Sequence, residues 1–207
     1  MPLQLRQLSC LLFLCFYGAY LGAQDGQEAW KKIKETPQCT VFTRLSALSS
    51  IKEVKVIATF DTEVDKFMSV LNNVPAYTDW VYKCGKARRL KTITKNEFIY
   101  YVTSDVPFPL KDRDIIIHSK QWFDPEIQGY RTRSVGLPAF IDEEAKYVRV
   151  PMLSSYWAIQ PTEDDKVKVE YQILTEPGGS LPVWLVNLAI TSGPLKTMKG
   201  LAEYLAR

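Results

Sequence analysis

An α+β fold, with an antiparallel sheet curved around one long C-terminal helix, is what this chain predicts, and three stretches predict it. Lys166 to Leu174 alternates strictly, with Val167, Val169, Tyr171 and Ile173 on one side and Lys166, Lys168, Glu170 and Gln172 on the other. That is the pattern of a half-buried strand. From Val81 to Glu176 the sequence holds no helical spacing of convincing length, only strand-like runs separated by Pro, Gly or acidic turns. Leu181 to Ala206 then carries apolar residues at helical steps, too many of them to face water. A run of strands followed by one long apolar helix buries that helix against the sheet.

In chain order, the 207 residues open on an uncharged apolar run, Leu8 to Leu21, which follows Arg6 and ends in Leu21-Gly22-Ala23. Residues 1–23 read as a signal peptide cleaved after about Ala23, so the mature protein is expected to be exported, periplasmic or secreted. An uncleaved membrane anchor is the alternative, although the run falls short of the ~20 residues of a spanning helix. Gln27 to Glu35 is expected to form a short helix with Trp30 and Ile33 as its apolar contacts, stopped by Pro37. Gln38 to Leu45 and Ile51 to Phe60 read as a hairpin across a Ser-rich turn. Asp61 or Thr62 is expected to cap a helix through Asn72 or Asn73, because Val64, Phe67, Met68 and Leu71 recur at helical spacing before Pro75.

Strands follow at about 81–91, 96–105, 113–123, 128–135, 146–150, 154–160 and 166–175. Pro177-Gly178-Gly179 breaks the sheet, Ser180 is placed to cap the next element, and Pro182 suits a first helical turn where its missing N–H is no loss. The inward stripe of the terminal helix is expected to be Trp184, Leu188, Thr191, Leu195, Met198, Ala202 and Leu205, with Leu185, Val186, Ala189 and Ile190 off it. Gly193-Pro194 interrupts this helix. An interior Pro costs ~3 kcal/mol in an ideal helix, so a kink is expected there.

With 46% hydrophobic and 24% charged residues the chain can bury one sizeable core, and no repeat or linker divides it. Loss of the signal removes one of 26 basic residues and none of the 23 acidic ones, so 25 face 23, a net charge of +2. That balance gives no reason to expect nucleic acid as a partner. Cys10 and Cys15 leave with the signal, and Cys39 and Cys84 remain, 45 positions apart. A bridge between them would stabilise by roughly 4 kcal/mol. Two cysteines form no recognised framework, however, and two buried thiols are the simpler reading.

Two motifs carry a family resemblance. Pro107-Phe108-Pro109-Leu110-Lys111-Asp112-Arg113-Asp114 is followed about sixty residues later by Glu176-Pro177-Gly178-Gly179-Ser180-Leu181-Pro182-Val183-Trp184-Leu185-Val186-Asn187. In this order and spacing they resemble the START domain, the lipid-transfer module of the steroidogenic acute regulatory family, over roughly residues 27–207. The resemblance implies a helix-grip fold, a bent antiparallel sheet around a long C-terminal helix. It also implies a hydrophobic tunnel for one lipid, gated by that helix, with no catalytic residue and no cofactor. A monomer that touches membranes transiently is the implied working form.

Strand alternation predicts which side chains line such a tunnel. The clean strand contributes Tyr171 and Ile173 beside Val167 and Val169. Carrying the alternation to other strands gives Leu153, Ser155, Trp157 and Ile159; Ile115, Ile117, Ser119 and Gln121; and Phe98, Tyr100 and Val102. A register slip would turn a whole set outward. Tyr77 and Trp80 after the first long helix, and Trp184, Leu188, Leu195 and Met198 of the last one, complete the candidate ligand wall. This wall holds hydroxyls and one amide but no carboxylate, and His118, the only histidine, falls on the opposite face. A lone histidine leaves no metal cluster, and its face leaves no Ser-His-Asp arrangement in the tunnel.

Phosphatidylcholine-carrying members of the family place an arginine three residues before the tryptophan that follows the second helix, and aromatic residues around the choline. Here Tyr77 stands for the arginine and Ile115, Leu153 and Ile173 for the aromatics. A sterol, fatty acid or other lipid with a small polar end is therefore the expected ligand. Arg113 shares parity with Ile115 and is a possible headgroup contact at the tunnel mouth; the structural alternative is that it fixes the Pro107 to Asp114 turn. Docking on a membrane is expected through Phe108, Leu110 and the first half of the last helix, helped by Lys111 and Arg113. Two rival readings stand beside the carrier: an enzyme on the same scaffold, such as a polyketide cyclase or dehydratase, and a sensor that responds to bound lipid.

Overall fold

Alternating apolar residues and turn-forming breaks resolve into a single open sheet. The computed structural model describes residues 29–46 and 51–207; the expected signal segment and the Ser-rich turn at 47–50 lie outside the described residues. The elements run β1 (Lys31–Glu35), β2 (Cys39–Leu45), β3 (Lys52–Phe60), α1 (Val64–Asn72), a 3-10 turn (Val74–Ala76), α2 (Tyr77–Trp80), β4 (Cys84–Thr94) and β5 (Glu97–Ser104). They continue through β6 (Arg113–Asp124), β7 (Gly129–Gly136), β8 (Val148–Arg149), β9 (Met152–Pro161), β10 (Val167–Glu176) and α3 (Val183–Leu205). The sheet order is β1-β2-β3-β10-β9-β7-β6-β5-β4, antiparallel throughout, with β8 paired in parallel to the start of β6. This is the expected helix-grip α+β arrangement.

Register makes the concave face explicit. One row runs Val56, Tyr171, Trp157, Thr132, Gln121 across five strands, and the next runs Val54, Ile173, Ser155, Ser134, Ser119, Phe98. Side chains in a row share a face because strand side chains alternate with period two. Above these rows lies the main core, which joins Phe67 of α1, Val41, Val56, Ile159 and Val169 of the sheet, and Leu201 of α3. Each fully buried side chain of this size contributes ~1.5–3 kcal/mol. A second cluster, built from Ile99, Tyr101 and Ile116 with Leu137 and Ile141 packed on it, covers part of the convex face.

Two expectations are corrected, and two short elements were not anticipated. The segment expected as a helix at 27–35 contains β1 instead, because Lys31 to Glu35 pairs with Thr40 to Thr43 across a tight turn in which Thr36 and Cys39 hydrogen-bond each other. A helix of so few residues is marginal in water, and ladder bonds outweigh its periodicity. Ile33 is exposed there, and Trp30 lies under Arg44 and Lys55, 4.2 and 4.6 Å from its ring centroid. Helix α1 begins one or two residues late, with Glu63 as N-cap and no side-chain cap hydrogen bond from Asp61 or Thr62. The 3-10 turn that contains Pro75 and α2 directly after it had no periodic signal, since each spans a single turn.

The face that α3 buries is wider than the expected stripe: Leu195, Met198, Ala202 and Leu205 pack in the main core as expected. Val186 and Ile190, expected off it, are buried with Met198, Leu201 and Leu205, whereas Ala189 is exposed. Gly200 on this face passes close to α2: a Cβ there would stand 2.4 Å from the Trp80 carbonyl oxygen. The side chains of Trp184, Leu188 and Thr191 lie outside the described residues. Cys39 is buried and Cys84 half-buried, and both are free thiols.

Candidate functional site

On the concave face, the rows through Thr132 and Ser134 meet the C-terminal end of α1 and the start of α2. The sheet supplies Ser119, Gln121, Thr132 and Ser134, each no more than 7% exposed. They line a cavity of about 30 Å³, bounded by Leu71, Asn72 and Tyr77 above and by Phe98, Tyr100 and Trp157 at its sides. That is space for one or two waters. Around it Gln121 Nε2 donates to Asn72 Oδ1 at 2.9 Å, Ser134 Oγ donates to Ser119 Oγ at 3.0 Å, and the Tyr77 hydroxyl donates to the Leu71 carbonyl at 2.6 Å. The Thr132 hydroxyl is buried without a partner.

Electrostatically this wall is neutral. Burial pushes Tyr77, Tyr100 and Tyr171 above the usual tyrosine range, helped by the neighbouring Tyr100 phenol at Tyr77 and Tyr171 and by the Cys84 thiol at Tyr100, so all three stay protonated at neutral pH. Arg89 of β4 comes near: its guanidinium lies 4.0 Å over the Phe98 ring and donates to the Asn72 carbonyl at 2.8 Å. There it answers the negative end of α1. His118 projects from the convex face, where Nε2 stands 2.8 Å from Glu97 Oε1. Among the described residues no group of three His, Cys, Asp or Glu side chains could hold a metal ion.

The expected wall residues divide into two groups. Tyr77, Tyr100 and Trp157 line the cavity; Tyr171 stacks on Trp157 with centroids 4.2 Å apart, and Ser155 continues the row of Ser134. Trp80 packs edge-on to Tyr77 beneath α3, and Leu195 and Met198 belong to the main core. Nearer the Pro107–Leu110 loop, Val102, Ile115, Ile117 and Leu153 form a separate apolar cluster with Val150, joined to the main core by Ile173. Asn72, Thr132 and Ser134 were not anticipated. Extending the alternation to β7, with Gly129 to Gly136 written in and out, would have found the last two; Asn72 ends a helix and carried no such signal.

Arg113 is 5% exposed, and its guanidinium donates to the carbonyls of Lys111, Pro177 and Gly178. It ties the Pro107–Leu110 loop to the turn that feeds α3, through carbonyls rather than through an acid. Gly178 and Gly179 adopt φ of 66° and 64° in that turn, a region glycine enters freely. Phe108 at the loop tip is 95% exposed, so it is not covered by the last helix, while Lys111 donates to the Ala145 carbonyl at 2.7 Å.

Comparison with known proteins aligns with this architecture. A family model described as START domain matches residues 15–207. An uncharacterized protein of Pseudomonas aeruginosa is 30% identical over 175 residues, 84% of this chain and 85% of its own length. The phosphatidylcholine transfer protein of Rattus norvegicus is 22% identical over 183 residues, 84% of this chain and 82% of its own. Among solved structures, a STAR-related lipid transfer protein fragment from Xanthomonas axonopodis superposes with a TM-score of 0.80 at 26% identity, covering 87% of this chain and all of that one. An aromatase/cyclase from a Streptomyces species shares the fold alone, with a TM-score of 0.52 at 14% identity over 75% of this chain and 93% of its own.

Proposed function

The chain belongs to the START domain family, and from that premise we propose that it is a noncatalytic carrier enclosing one lipid of small polar end, such as a sterol or fatty acid, between the concave sheet face and α3. The observation that carries this reading is the composition of that face. Apolar rows from Val54 to Ile173 and from Val56 to Trp157 run without a charge into a small patch of hydroxyls and amides. Such a wall shelters a hydrocarbon body and receives a polar end. An enzyme of the cyclase type needs a group that moves protons near neutral pH. The wall offers phenols held protonated and aliphatic hydroxyls, which supports the carrier.

Sheltering matters because each methylene left in water costs about 0.8 kcal/mol, so a chain of about sixteen carbons resists leaving a bilayer by about 12 kcal/mol. Among the described residues this cavity, about 30 Å³, is far below the ~300–1,000 Å³ of ordinary small-molecule sites. Loading therefore requires part of the cover to move. The second half of α3 is the fixed part: Thr197 Oγ1 accepts from the Tyr82 N–H at 3.2 Å, and Lys66 of α1 donates to the Leu205 carbonyl at 2.8 Å. The first half, beyond Pro194 inside the helix, is the gate, and Gly193 with open space about its Cα is its hinge. Phe108 at its exposed loop tip inserts at the membrane, and the Leu8 to Leu21 run directs the protein out of the cytoplasm.

Native mass spectrometry of the protein purified from its own host tests the carrier directly: a bound lipid is expected, and a protein that arrives empty and takes up none from vesicles overturns it. The gate has its own test in Pro194→Ala, which should slow lipid transfer between vesicles severalfold while equilibrium binding changes less than twofold. Equal losses in both would remove Gly193-Pro194 as the hinge.

A further inference from the structure

The neutral cavity carries a narrower assignment of ligand. We infer that Thr132, Gln121 and Asn72 form the subsite for an uncharged hydroxyl or amide at the polar end of the lipid, and that this subsite selects against phosphate and ionised carboxylate ends, which narrows the carrier's ligand from a sterol or fatty acid to a lipid with an uncharged end; the inference rests on the carrier reading. Three observations carry it. Thr132 lines the cavity, and its hydroxyl is buried with no partner, an arrangement that costs ~1–3 kcal/mol unless something answers it. Gln121 and Asn72 spend one amide atom each on the other, and both residues line the same space, so each has a second amide atom left to offer a ligand. A hydroxyl placed between them gives and accepts a hydrogen bond, which matches a threonine hydroxyl and a primary amide.

Charged ends fare worse at the same place. An anion in this cavity would be buried among groups with no net charge, and burial of an unpaired charge is far costlier than burial of a hydroxyl. The guanidinium of Arg89 does not line the cavity and is engaged with the Asn72 carbonyl and the Phe98 ring. A choline end would need stacked aromatic faces around a cation. Tyr77 and Tyr100 instead meet edge to face at 88° and 5.7 Å, packed on each other.

Thr132→Val separates a ligand role from a structural one. Valine keeps the shape and removes the orphan hydroxyl, so the variant should melt at the same or a higher temperature than the parent chain. Its binding should move the other way. The parent and the variant are incubated with phosphatidylcholine vesicles doped in turn with dioleoylglycerol, cholesterol or dioleoylphosphatidate, and bound lipid is counted by native mass spectrometry. The parent is expected to load the two neutral lipids at least tenfold over phosphatidate and phosphatidylcholine, and Thr132→Val to lose about tenfold of the neutral loading alone, the worth of one buried hydrogen bond. Gln121→Leu should repeat that loss. Loading of phosphatidylcholine or phosphatidate equal to the neutral lipids, or neutral loading unchanged in Thr132→Val, overturns the assignment and leaves the carrier standing. A parent chain that loads no probe overturns the carrier and this inference with it.

Discussion

Arg149 shows how one side chain can fix a region. Its five N–H donors are all used: Nε and Nη2 grip Asp114 at 2.9 and 3.0 Å, and the others reach the carbonyls of Pro138, Ile141 and Asp142. Both side chains of the pair are at most 3% exposed. A buried pair of this kind adds little over an apolar replacement of both partners, but breaking it strands a charge at a cost of about 3–5 kcal/mol. Arg149→Lys is therefore expected to destabilise by several kcal/mol in urea unfolding, because an ammonium cannot serve both carboxylate oxygens and three carbonyls. A loss below about 1 kcal/mol would show the fork to be dispensable. The sequence motif around Asp114 was legible, yet its partner was not: Arg149 lies 35 positions away on a two-residue strand, and nothing in a local pattern announces such a pairing. Ser119 and Gln121 were legible by parity for the opposite reason, since a long regular strand carries its register with it.

At the scale of elements, the position of α3 rests on a close pass as well as on its apolar face. A Cβ on Gly200 would stand 2.4 Å from the Trp80 oxygen, which is backbone and cannot swing aside. Gly200→Ala should push α3 off α2 and cost about 1–3 kcal/mol, more than the ~0.5–1 kcal/mol that alanine returns through helix propensity. Gly193→Ala, with no atom within 4 Å of the added carbon, should instead raise the melting temperature. The reverse ranking of the two variants would refute this account of what seats the helix. The long strands and both long helices were readable because alternation and 3.6-residue spacing persist over several turns. Strand β1 was not, since Trp30 and Ile33 also sit at helical spacing and the choice is made by pairing with β2. The face α3 buries was ambiguous for the same reason: a helix apolar nearly all round leaves its rotation to its contacts.

Across the whole molecule, the concave face collects groups that the fold keeps protonated. Burial is the first cause at Tyr77, Tyr100 and Tyr171 on that face, at Tyr101 on the convex one, and at Cys84, whose thiol is pushed up to about 11 with help from Asp105. In an unfolded chain tyrosine titrates near 10 and cysteine near 8.5. Between those values and the raised folded ones, the native state holds protons that the unfolded state has lost. Stability then falls as pH rises, because its slope follows the excess of protons bound by the unfolded state, which is negative here. Tyr82 works in the opposite sense through its hydrogen bond from Lys196, but it is exposed and screened by solvent. The urea midpoint is thus expected to be level from pH 7 to about 8.5 and to decline steadily above about 9, with phenolate absorbance from the buried tyrosines appearing together with unfolding. Lipid in the tunnel should delay the decline, since a ligand bound to the native state alone adds stability at every pH. Phenolate signal from all tyrosines well before unfolding, with or without lipid, would show the concave face to be open to water and would remove the physical basis for a sealed, neutral lipid site.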